Sequence, residues 1–160
     1  MPAKSKPAKN LAAQEVFFTR VLAAPRDLVW KAWTDPKHVA QWWGPNGFTN
    51  PVCELDARPG GAIRIHMRGP DGTVYPMTGV YQEIVEPERL VFASGALDNK
   101  GQPLFEVLTT VTLTEHGGKT TLTVRARVVK STPAAAPHLA GMKEGWNQTL
   151  NRFVAYVAKL

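Results

Sequence analysis

The sequence predicts an α+β fold in which an antiparallel sheet of six consecutive strands takes a further strand at its edge and is covered by a C-terminal helix. Three patterns predict it. Beyond Phe48, runs rich in β-branched and aromatic residues alternate with short breaks of glycine, proline, asparagine and aspartate. Between Pro25 and Trp43, apolar residues fall instead at helical spacing. Near the end, Leu139, Met142, Trp146, Thr149, Leu150, Phe153, Val154 and Val157 recur at three- and four-residue steps, an amphipathic stripe.

The first element, EVFFTRVL from Glu15 to Leu22, has strand composition. In AAPRDLVWKAWTDP, Pro25 suits the first turn of a helix and Asp27 sits near its positive end, while Leu28, Val29, Ala32 and Trp33 form an apolar face. Asp35-Pro36 closes this helix and opens a second, since the residue before a proline avoids the α region. The second helix runs from about Lys37 to Trp43 and ends at Gly44-Pro45. Adjacent helical residues point about 100° apart, so Trp42 and Trp43 cannot both stack on one guest. One is expected to pack the short helix against the body, the other to reach the rim of a cavity.

The six strands are PVCELDA, AIRIHMR, VYPMTGVYQEIV, RLVFASGAL, LFEVLTTVTLTE and KTTLTVRARVV, separated by Pro59-Gly60-Gly61, Gly69-Pro70-Asp71-Gly72, Glu86-Pro87-Glu88, Asp98-Asn99-Lys100-Gly101 and His116-Gly117-Gly118. Breaks this short join antiparallel neighbours, because parallel strands need a crossover of a dozen or more residues. Ile63, Ile65 and Met67 alternate with Arg64, His66 and Arg68, and Leu122, Val124, Ala126 and Val128 with Thr121, Thr123, Arg125 and Arg127. One face of the sheet is therefore dry. The amphipathic segment covers it, starting near Pro133 after Ser131-Thr132, with an irregularity where Pro137 lacks a backbone donor. Gly141 and Gly145 share a face of this helix, which predicts either close helix-to-sheet approach or open space beneath it.

With 160 residues, 44% hydrophobic and 20% charged, the chain is too apolar for disorder and long enough to bury most of the surface of its unfolded form. The expected organisation is a flexible basic tail over residues 1–13 and a single domain over 14–160. Lys4, Lys6 and Lys9 carry half of the formal charge of +6, and the other basic residues are scattered, so no nucleic-acid partner is expected. No run approaches the ~20 apolar residues of a membrane span, and no signal-peptide core follows the tail. A cytoplasmic location is expected.

Cys53, alone and among apolar neighbours, is expected to be a buried inert thiol. His38, His66, His116 and His138 form no metal-ligand pair at helical or hairpin spacing, and no metal or cofactor is expected. Two residues are candidates for acid–base work. Glu83, between Tyr81 and Val85, would be a buried carboxylate with a raised pKa if that face lines a cavity, and a surface charge paired with an arginine if it does not. His66 is the one histidine within a strand, though it alternates away from Ile65 and Met67.

The stretches TRVLAAPRDLVWKAWTDPKHVAQWWGPNGFT, ELDARPGGAIRIHMRGPDG, GVYQEIVEPERLVF and MKEGWNQTLNRFVAYV, in this order, resemble the signature of the SRPBCC (START-like) superfamily, in the branch named after the activator of the heat-shock chaperone ATPase. The resemblance covers residues 14 to 159 and implies the helix-grip fold, with a cavity between the long helix and the sheet that holds apolar molecules. It implies binding of a small hydrophobic or aromatic ligand, without enzymatic activity as the first expectation. Trp42, Trp43 and Phe48 are then expected near the entrance, Met67, Tyr81, Phe92 and Val111 on the sheet, and Met142, Trp146 and Leu150 on the helix. The alternatives are a cyclase- or hydrolase-like enzyme using Glu83 or His66, or a chaperone-interacting module. Chaperone-activating relatives carry a further N-terminal domain, so chaperone activation is not expected, while a chaperone contact and a homodimer stay open.

Overall fold

The computed structural model describes residues 14–160, and the basic tail expected over 1–13 lies outside them. β1 (Glu15–Leu22) is followed by α1 (Arg26–Thr34), α2 (Pro36–Trp42) and the strands β2 (Thr49–Leu55), β3 (Ala62–Arg68), β4 (Val74–Val85), β5 (Arg89–Ala96), β6 (Phe105–His116) and β7 (Lys119–Ser131). All seven strands form one antiparallel sheet in the order β1-β7-β6-β5-β4-β3-β2. The meander is the one read from the turn chemistry, and β1 closes its free edge by pairing with β7, Val16 opposite Ala126 and Phe18 opposite Val124. The α+β helix-grip order is therefore present.

Capping and proline geometry define the helical segment. Asp35 stands at the N-cap of α2, where its carboxylate accepts from the Lys37 N–H at 2.9 Å and Pro36 fills a position whose donor would be unused anyway. Trp42 is the last residue of α2, and Trp43 already has extended geometry, one residue earlier than the sequence predicts.

The C-terminal cover differs from a single long helix. A 3₁₀ turn at Pro133–Ala135 leads into α3 (Ala136–Ala140), and α4 (Met142–Val157) begins only after Gly141, at φ −94°, ψ 7°. Pro137 falls in the first turn of α3, where its missing donor would be unused, and glycine tolerates the off-helical geometry at the joint. The predicted start at Pro133 is present as a 3₁₀ turn, and the break in the cover falls at Gly141, four residues beyond Pro137.

Buried side chains form two clusters. The larger joins α1 and α2 to the inner face of the sheet and to Leu150, Phe153 and Val157 of α4. The smaller gathers Val16, Val107, Ala126, Val128, Ala135 and Leu139 beneath α3. Trp146 and Phe18 pack against both.

Parity changes within β4. Tyr81 pairs with Phe92 but Glu83 with Val91, so Gln82 is an extra residue, a β-bulge. Beyond it Ile84 points to the core, and Val85 is exposed. A strict period of two would have put Tyr81 and Glu83 on one face.

Leu150 is fully buried in the larger cluster. Leu150→Ala is expected to lower the unfolding free energy by about 2–5 kcal/mol in urea titration. A loss under about 1 kcal/mol would contradict this placement.

Candidate functional site

The loop from Trp43 to Phe48 joins α2 to β2 and faces α4. Trp42 points inward: it is fully buried, its Nε1 donates to the Ala32 carbonyl at 2.9 Å, and its ring lies 4.6 Å from Phe153 and 4.7 Å from Trp33. Trp43 turns the other way and meets the ring of Trp146 edge-on at 5.7 Å. The chain then reverses through Gly44 at φ +99°, where a Cβ would meet that of Phe48 at 3.1 Å. A left-handed backbone and a crowded neighbour both require glycine here.

Arg152 of α4 holds this loop. Its Nη1 donates to the carbonyls of Trp43 (3.2 Å), Gly44 (2.8 Å) and Pro45 (2.9 Å), and its Nη2 to those of Phe48 (3.2 Å) and, more weakly, Gln41 (3.4 Å). The acceptors lie at the negative end of α2, where a cation is favoured. Burial lowers the Arg152 pKa, but a guanidinium stays charged at any physiological pH. Asn50 Nδ2 adds bonds to Ala40 and Trp43 carbonyls, and Gln148 accepts from the Asn46 N–H at 3.0 Å.

Between this loop, α3–α4 and the sheet lies a cavity of about 380 Å³. The loop contributes Trp43, Gly44, Pro45 and Phe48, the sheet Met67, Tyr75, Met77, Phe105, Val107 and Thr109, and the helices His138, Leu139, Met142, Trp146 and Thr149. It lies where the two clusters meet, with Met77 and Trp43 from one and Val107 and Leu139 from the other. Gly141 and Gly145 also line it. A Cβ on Gly141 would touch nothing within 4 Å, and one on Gly145 only Pro45 Cγ at 3.8 Å. Of the two outcomes that glycine spacing allows, the structure shows open space. His138 stands between Tyr75 (6.4 Å) and Phe105 (5.9 Å).

Of the residues named from sequence, Trp43, Phe48, Met67, Met142 and Trp146 line this cavity. Trp42, Val111 and Leu150 are packed solidly into the larger cluster instead. Tyr81 and Phe92 border a separate void of only about 20 Å³, room for about one water. Neither acid–base candidate reaches the cavity lining. Glu83 lies on the outer side of the bulge with its Oε1 3.2 Å from Arg89 Nε, and His66 stands half-buried on β3 between Val52 and Pro76 of the flanking strands. Met77, Ser94, Val107, Thr109 and His138 line the cavity without having been singled out as ligand residues. Met77 has the inward parity of Tyr81, and Thr109 falls between the apolar Val107 and Val111, the signal that could have found it.

A larger depression of about 790 Å³ lies against the outer face of β4–β7, bordered by the exposed Thr78, Val80, Gln82 and Lys130. Its lining includes the charged and polar Glu106, Lys130, Ser131 and Thr132. The smaller cavity is the one lined by aromatic and sulfur-bearing groups. Among the described residues no cluster of His, Cys, Asp and Glu is placed to hold a metal, and no helix is long and apolar enough to cross a membrane. Cys53, half-buried on β2, is pushed up to about 11, first by burial and then by Asp35 and Glu54.

A family model described as activator of Hsp90 ATPase homolog 1-like protein matches residues 23–158. The chain belongs to this family. Among solved structures, a Chromobacterium violaceum protein shares 30% identity at a TM-score of 0.73, over 89% of this chain and 96% of that one. A Nitrosomonas europaea protein shares 26% at 0.75, over 91% and 94%. An Arthrobacter aurescens protein solved by NMR shares 26% at 0.80, over 95% and 90%. None of the curated proteins matches.

Replacing Arg152 by methionine strips several partly buried carbonyls of a charged donor. A loss of about 1.5–3 kcal/mol is expected, with faster amide exchange at residues 46–48 and only partial recovery in Arg152→Lys. Full recovery by lysine would show that charge alone, not the forked geometry, holds the loop. For Cys53 the folded state keeps the thiol neutral where the unfolded chain ionises it. Its contribution to stability is therefore present below the ordinary value of 9.0 and lost as pH rises toward about 11. Wild type should lose stability more steeply over that interval than Cys53→Ser, and equal slopes would contradict the burial.

Proposed function

We propose that this member of the family binds a small hydrophobic or aromatic molecule in the cavity between α4 and the sheet. The observation that carries the proposal is a cavity of about 380 Å³ walled by Trp43, Phe48, Tyr75, Phe105 and Trp146 and by three methionines, with two glycines leaving the space open. Pockets of this size and composition are typical small-molecule sites. Burial of apolar guest surface supplies about 25 cal/mol per Å². Met67, Met77 and Met142 have flexible, polarisable side chains that adapt to a guest's outline and favour contact with aromatic rings.

Binding is preferred to catalysis for a chemical reason. Among the described residues no carboxylate, lysine, arginine or cysteine lines the cavity, and its one imidazole, His138, is not hydrogen-bonded to any of the hydroxyls there. The family description names chaperone activation, but a shared fold does not carry an activity with it.

An uncharged apolar fluorophore such as N-phenyl-1-naphthylamine should bind saturably and accept energy from the cavity tryptophans. Gly145→Leu should fill the space and abolish binding while leaving the melting temperature equal or higher, since any ordinary residue suits a helix interior better than glycine by about 0.5–1 kcal/mol. Saturable binding untouched by Gly145→Leu would place the site elsewhere.

A further inference from the structure

Three threonines are buried among the described residues: Thr109, Thr120 and Thr149. Two of them are satisfied by the protein itself. Thr120 Oγ1 donates to the Ala24 carbonyl at 2.7 Å and Thr149 Oγ1 to the Gly145 carbonyl at 2.7 Å. Thr109, 1% exposed on the inner face of β6, has no hydrogen-bond partner for its hydroxyl. The other buried side-chain polar atoms without a partner belong to Arg26, Trp33 and Asn50, none of which lines the cavity, whereas Thr109 does.

Such a hydroxyl is costly. Leaving it unbonded costs about 1–3 kcal/mol, and valine, nearly the same shape, would remove the penalty. Its neighbours of the same parity, Val107 and Val111, show that β6 accepts valine on this face. Thr109 Oγ1 is covered at the cavity wall, and a change between staggered χ1 rotamers swings a threonine hydroxyl about its Cβ.

The remaining lining limits the guest's charge. Among the described residues it contains no Lys, Arg, Asp or Glu, and an ion drawn in without a partner would lose several kcal/mol of hydration. Polar side-chain groups are few: besides Thr109 they are Ser94, Tyr75, His138, the indole N–H groups of Trp43 and Trp146, and Thr149, the last with its proton already committed to Gly145.

We infer that the guest is an uncharged, largely apolar ring compound bearing a neutral hydrogen-bonding group, a hydroxyl or a carbonyl, that meets the Thr109 hydroxyl. This rests on the proposed function and adds Thr109 as the residue that selects among apolar guests.

The test measures binding of naphthalene, naphthol and naphthoate at pH 7, where naphthol is neutral and naphthoate an anion, by quenching of intrinsic tryptophan fluorescence. Naphthol should bind about 3–10-fold more tightly than naphthalene, the gain of one hydrogen bond, and naphthoate more weakly than either. Thr109→Val should reduce naphthol to the naphthalene level and leave naphthalene unchanged, while Thr109→Ser keeps the preference. An undiminished naphthol preference in Thr109→Val overturns the role of Thr109 and leaves the cavity as a binding site. Saturable binding of none of the three overturns the cavity reading, and the role of Thr109 with it.

Discussion

A single guanidinium decides where the candidate site can be. Arg152 gathers carbonyls from Gln41 to Phe48 at the point where α2 ends and the chain must turn into the sheet. Those carbonyls have no helical donors left to meet, and a forked cation on a neighbouring helix supplies several at once. The same surface of α4 carries Gln148 one turn earlier, bonded to Asn46, and beside it Gly145 and Thr149, which line the cavity. One helix thus both clamps the loop and forms the ceiling above the space the loop borders. Loosening the clamp would release Trp43, Pro45 and Phe48 together, which makes the loop and the cavity one mechanical unit.

The two tryptophans divide the work within that unit. Trp42 belongs to a tightly packed aromatic group with Trp33 and Phe153, and its indole N–H is bonded inside the core. Trp43 borders this group at an angle and meets Trp146 edge-on in the cavity wall. Their separation follows from α2 stopping between them, so the second indole is carried on extended backbone. Where the two clusters of the core approach one another, the glycines of the C-terminal segment put no side chain, and the gap persists as a cavity.

Much of the fold was legible because it rests on local chemistry. Strand ends coincide with glycine- and proline-bearing turns, α2 begins at Asp35-Pro36, and the stripe from Leu139 to Val157 is the buried face of the cover. The site was legible only in part. Alternation brought Met67, and helical spacing Met142 and Trp146, to the cavity wall, but periodicity cannot tell a residue beside a cavity from one beneath a solid core. That is why Tyr81, Phe92, Val111 and Leu150 have the expected inward parity and still do not line the cavity. The parity of Glu83 depended on a one-residue bulge at Gln82, which leaves no mark in the pattern. The role of Arg152 was invisible for another reason: its acceptors are backbone carbonyls, which every residue has.

The central claim is that apolar guests enter the cavity beneath α4. Three of the four methionines line it, so their methyl groups report on it directly. The most direct measurement is a carbon-13 methyl spectrum of methionine-labelled protein during addition of naphthol. The account predicts saturable ring-current shifts of Met67, Met77 and Met142 together, with intermolecular nuclear Overhauser contacts to the naphthol ring. Saturable binding that leaves all three resonances in place, with contacts instead to outer-face residues such as Val80, would contradict it.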